Sequence, residues 1–94
     1  MPTLCLEELL EIHRDHLKLI DEEIVELLGQ RMKVSAKVGV LKKLNKTEIC
    51  SPQQELKVTD RAMKNAKLHD VHGGFIVKIF RLIIEESKRI QNVE

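Results

Sequence analysis

Three cations and a short polar run carry the chemistry that this sequence can offer. Arg31 and Lys42 are eleven residues apart in a stretch of helical periodicity, about 1100° at 100° per residue, which falls within roughly 20° of three full turns. They therefore project from one face, about 16 Å apart along the axis. Arg14 precedes Arg31 by seventeen residues, which turns it about 100° around the helix and leaves it roughly 25 Å away. One copy of the helix cannot close all three on a small ligand. In an antiparallel dimer, the N-terminal half of one long helix lies beside the C-terminal half of the other, and Arg14 can enter the partner's site. Near the end of the chain, Ile76, Phe80 and Ile83 are followed on the same stripe by Ser87 and Gln91, an i, i+4 pair. The inward stripe thus changes from apolar to hydrogen-bonding. Taken with the two cations, it describes a polar pocket inside a helical bundle, and a small dianion is the guest such a pocket suits.

On the residues alone, two other readings stay open. Arg31 and Lys42 can be snorkelling along a helix seam, and Ser87 and Gln91 can mark where the stripe frays into solvent. His13 with His16, and His69 with His72, have i, i+3 spacing, but no carboxylate or cysteine cluster matches them, so no metal is expected. Cys50 precedes a helix N-terminus, a position that favours a thiolate; with no base placed beside it, it reads as a structural cysteine. Nothing resembles a hydrolytic triad or a phosphate loop, and no cofactor is implied.

The elements that must position these groups are helices. No proline interrupts Leu4 to about Asn45, and a heptad written from Leu10 places Leu10, Leu17, Ile24, Arg31 and Val38 in one row and His13, Ile20, Leu27, Val34 and Leu41 in the other. Eight of these ten are apolar, so the stretch reads as one helix, roughly 60 Å long. A compact domain of 94 residues has a radius of gyration near 12 Å. The apolar length of such a helix therefore requires a second chain, which predicts an intertwined homodimer. Ser51 and Pro52 start a second helix, with Gln54 completing a capping box, and it runs to about Leu68. The segment HDVHGG from His69 to Gly74 breaks the pattern, and a third helix is expected from about Phe75 to Asn92. The predicted fold class is all-α, with one long, one short and one medium helix forming a single domain over residues 1–94.

Composition narrows the partners. With 16 Lys and Arg against 15 Asp and Glu, the chain has no global pull toward nucleic acid or membrane. Phe75 and Phe80 are its only aromatics, too few for a base-stacking platform. Cys5 and Cys50 fit neither a disulfide framework nor a zinc site. Glu7 and Glu8 interrupt the N-terminus before an apolar run could form a signal peptide, and no run approaches membrane-spanning length. A cytoplasmic protein is expected.

In their order and spacing, four blocks make the chain resemble the all-helical class of chorismate mutases: IDEEIVELLGQR from Ile20 to Arg31, VGVLK from Val38 to Lys42, SPQQE from Ser51 to Glu55, and IFRLIIEESKRIQ from Ile79 to Gln91. The resemblance implies an intertwined dimer of three-helix chains with two equivalent sites. It also implies the rearrangement of chorismate, a dicarboxylate, to prephenate without metal, cofactor or covalent intermediate, feeding phenylalanine and tyrosine synthesis. By the same resemblance, Arg31 and the partner's Arg14 clamp carboxylates. Lys42 and Gln91 donate toward the breaking ether bond, Ser87 supports a carboxylate, and Glu55 accepts from the ring hydroxyl. At the pocket edge Ser51 and Gln54 depart from the family pattern, which usually has Asp and Arg there. An isochorismate-pyruvate lyase and a 4-amino-4-deoxychorismate mutase share the scaffold, and a non-catalytic dimerisation or regulatory module is the alternative from another class.

Overall fold

The structure, a computed structural model, describes residues 3–47 and 51–92. Among these residues the chain is all-helical: α1 (Leu6–Leu44), α2 (Pro52–Leu68) and α3 (Gly73–Gln91). It divides into two compact units, Met1–Arg31 and Met32–Glu94. The first contains most of α1, and the second contains the end of α1 with α2 and α3.

The 39 residues of α1 correspond to about 58 Å of helix, as the uninterrupted periodicity predicted. Glu7 and Glu8 in its first turn and Lys42 and Lys43 in its last complement the helix dipole. Thr47 N–H donates to the Lys42 carbonyl at 2.8 Å and Lys46 N–H to the Lys43 carbonyl at 3.2 Å, with Lys46 at φ 54°. This is a Schellman ending, usually given to glycine. The same device closes α2, where Val71 donates to Ala66 and Asp70 to Lys67, with Asp70 at φ 55°.

Ser51 caps α2, accepting from Gln54 N–H at 3.3 Å, and Pro52 occupies the first turn as expected. The third helix begins at Gly73 rather than at about Phe75. The break expected of the glycines is made instead by Asp70, and His72 Nδ1 accepts from Phe75 N–H at 3.2 Å to cap α3. His69 and His72 thus serve as helix-end residues. The reading of Cys50 lies outside the described residues.

Within the second unit, α2 packs on α3. Val58, Ala62 and Ala66 form one buried stripe of α2, spaced four residues apart, and Ile83 is buried on α3. The alanines allow close approach of the two helices, but no side chain among the described residues is wholly enclosed. The heptad rows of α1 are mostly exposed, from Val38 at 37% to Leu41 at 64%. The buried positions of α1 are Ser35 and Gly39, so its packed face is one of small side chains and not the leucine rows. Among the described residues, no helix is long and apolar enough to cross a membrane, and no group of three His, Cys, Asp or Glu could hold a metal ion.

Candidate active site

In the second unit, polar side chains converge from three places: the last turns of α1, the first turn of α2 and the last turns of α3. On α3, Ile83, Ser87 and Gln91 lie four residues apart along one stripe; the first two are buried and Gln91 is half-buried. Opposite them stand Met32, Ser35 and Gly39 of α1. Gln91 Nε2 donates to Ser35 Oγ at 2.9 Å, and Ser87 Oγ lies 3.8 Å from Met32 Sδ. A Cβ built on Gly39 would meet Cα, Cβ and Cγ of Gln91 at 2.9 Å. The absent side chain therefore lets the helices approach, and that approach seats Gln91 against Ser35.

The Gln91 amide is consequently oriented rather than frayed into solvent. One N–H is held by Ser35, and the amide nitrogen carries a second for a guest. Its Oε1 is buried and has no hydrogen-bond partner among the described residues. A buried acceptor left in that state costs about 1–3 kcal/mol, so the site calls for a donor, such as a hydroxyl or a water.

At the first turn of α2, Ser51 is half-buried, Gln54 exposed and Glu55 half-buried. Ser51 Oγ and the Gln54 N–H form one arm of the expected capping box. A Glu55 carboxylate oxygen lies 2.9 Å from Lys88 Nζ of α3, each side chain about 30% exposed. Lys42 is half-buried in the last turn of α1, and it is not without a partner.

The other two cations belong to the first unit. Arg31 is its last residue, half-buried and also engaged by a neighbour. Arg14 is exposed and pairs with Glu11 at 3.0 Å, one helical turn away on the same helix. Such an exposed i, i+3 pair holds its partners weakly.

Ser35, Gly39 and Lys88 are not legible as site residues in the sequence. Ser35 and Gly39 carry a signal, two small residues four apart in a helix otherwise rich in long side chains, but it is a packing signal and not one of charge. Lys88 follows Ser87 directly, and lysine in a last helical turn ordinarily reads as a solvated residue favoured by the dipole.

Compared with known proteins, the chain matches the family model described as chorismate mutase type II over residues 13–92. It is 33% identical over 86 residues to the chorismate mutase of Methanocaldococcus jannaschii, a match covering 92% of this chain and 86% of that protein. Identity of 28% over 74 residues relates it to the bifunctional chorismate mutase/prephenate dehydratase of Escherichia coli K12, covering 79% of this chain and 19% of that protein. The bifunctional enzyme of Aquifex aeolicus is 32% identical over 84 residues, 84% of this chain and 22% of its own length. The chain thus spans about a fifth of the bifunctional relatives.

Proposed function

The chain belongs to the chorismate mutase type II family, and from that premise we propose that it rearranges chorismate to prephenate in aromatic amino acid synthesis. The observation that carries the proposal is the extent of the family match, residues 13–92, which includes every candidate site residue from Arg14 to Gln91. The reaction is an intramolecular Claisen step. It asks the protein to fold the flexible enolpyruvyl arm over the ring and to stabilise negative charge appearing on the ether oxygen. Arg31 and the partner's Arg14 clamp the substrate carboxylates, each planar guanidinium doing so with two hydrogen bonds. Lys42 and the second N–H of Gln91 donate to the ether oxygen as its bond breaks. Ser87 supports a carboxylate, Glu55 accepts from the ring hydroxyl, and Ser51 and Gln54 form the pocket edge. No step requires a metal, a cofactor or a covalent intermediate.

The active form in this reading is an intertwined homodimer in the cytoplasm, with Arg14 serving the partner's site. Its support is the exposed apolar length of α1, including Leu6, Leu10, Leu17, Ile24 and Leu27, which a second copy would cover. The relatives named above favour the mutase over the lyase, the aminodeoxychorismate mutase and a non-catalytic module. Incubating purified protein with chorismate and, separately, with isochorismate tests the reading. Prephenate from chorismate is the expected product; pyruvate from isochorismate alone, or no turnover of either, would refute it.

A further inference from the structure

Glu55 presents a difficulty for any site that takes a dianion. A carboxylate serves well as an acceptor for a ring hydroxyl, but beside a doubly negative guest in a pocket of reduced dielectric it is repulsive. The structure contains a counter-charge. Lys88 Nζ spans from α3 to the first turn of α2 and meets Glu55 at 2.9 Å, with both side chains about seven-tenths covered. It also lies 4.0 Å from Glu85 on its own helix, but that carboxylate is 74% exposed. The pair differs from the neighbouring Arg89 and Glu86, which are exposed and one turn apart on α3. There the Arg89 guanidinium, hydrogen-bonded to Glu86, holds that carboxyl below its usual range, and the interaction stays within one helix. The Lys88 pair instead links two of the helices that carry the site, α2 and α3. Lys88 also stands between Ser87 and Gln91 in the sequence, beside the polar end of the α3 stripe, while Gln54 contributes no charge to the α2 turn.

We infer that Lys88 is a further positioning and specificity residue of this site, its ammonium orienting Glu55 and offsetting its charge so that a dianionic substrate can share the pocket. The inference rests on the mutase reading. Removing the ammonium takes a positive charge from beside Glu55 and should weaken dianion binding with little effect on the bond-breaking step. Neutralising Glu55 at the same time should relieve the repulsion. A pair that merely braces α2 against α3 would also be relieved in the double variant, but the loss and its relief would appear in the melting temperature and not in KM.

The test is steady-state prephenate formation by wild type, Lys88→Met, Glu55→Gln and the double variant, with melting temperatures alongside and Lys88→Arg as the conservative control. Lys88→Met should raise KM about tenfold, the scale of one charge-assisted contact, with kcat changed by less than about threefold. The double variant should lower KM at least about threefold from that of Lys88→Met, while keeping whatever loss Glu55→Gln alone causes at the ring hydroxyl, and Lys88→Arg should hold KM within about threefold of wild type. A KM for Lys88→Met within twofold of wild type would overturn the inference, as would a double variant no better than Lys88→Met. If Lys88→Met does not fold, Lys88→Gln takes its place. If wild type forms no prephenate, the mutase reading fails separately, and calorimetric binding of a bicyclic dicarboxylate transition-state mimic to the same chains decides about Lys88. Equal affinities, or no binding by any chain, count against it.

Discussion

Every residue from Thr3 to Leu27 is exposed, leucines included, whereas the unit from Met32 onward buries Val58, Ala62, Ala66 and Ile83 together with Ser35 and Ser87. Both regions are helical and both carry candidate site residues. They differ in what their own chain does for them. In the second unit, close approach of small residues fixes polar groups: Gly39 admits Gln91, Ser35 orients its amide, and Glu55 is tied to Lys88. The first unit offers Arg14 on an exposed surface, paired with Glu11 one turn away. A helix in water draws most of its stability from packing an apolar face, and the proposed second chain would both cover the exposed stripe of the first unit and engage its loosely held arginine.

Substitutions can break this contrast in several places. The largest effect is expected from charging the first-unit stripe, as in the double variant Leu17→Asp, Ile24→Asp. If a second copy covers both residues, the loss is about 3–6 kcal/mol of apolar burial, and sedimentation should find monomers where wild type is dimeric. The expected effect of Lys42→Ala, in the second unit, is a fall in kcat/KM of about 100- to 1000-fold with the fold retained, the scale of losing one preorganised donor to a developing charge. Gly39→Ala sharpens the packing claim. Its methyl would meet Gln91 at 2.9 Å, and overpacking of this kind costs about 1–3 kcal/mol. A lowered melting temperature and a kcat reduced more than KM is affected are expected, because the group displaced is the one proposed to donate in the transition state. The smallest effect should come from Lys46→Gly. Lys46 holds φ 54°, where glycine is unstrained, and the replacement should stabilise the second unit by about 0.5–1 kcal/mol without changing turnover.

Much of the helical frame was legible in the sequence because it rests on local chemistry. A 3.6-residue period without proline gave α1, and Ser51 with Pro52 gave the start of α2. The helix ends were less legible. Lys46 and Asp70 adopt a conformation usually reserved for glycine, which the residue types do not advertise, and the two real glycines, Gly73 and Gly74, lie inside the first turn of α3. At the site, charged and amide side chains drew attention, and Gln91 and Ser87 do stand on the packed face of α3. The glycine and serine that position Gln91 did not, since their contribution is an absence of bulk and a single hydroxyl. Lys88 was passed over because a lysine in a terminal turn looks the same whether it faces water or another helix. The reach of Arg14 depends on a second chain and is not written in the contacts of one.

The most direct measurement of the shared-site claim mixes two inactive proteins, Arg14→Ala and Arg31→Ala, under conditions that exchange subunits. If each site takes Arg31 from one chain and Arg14 from the other, a heterodimer has one intact site and one lacking both arginines. With random pairing in a two-fold dimer, chorismate turnover should recover to about a quarter of the wild-type rate. Heterodimers verified by native mass spectrometry that remain inactive would contradict the assignment of Arg14 to the partner's site.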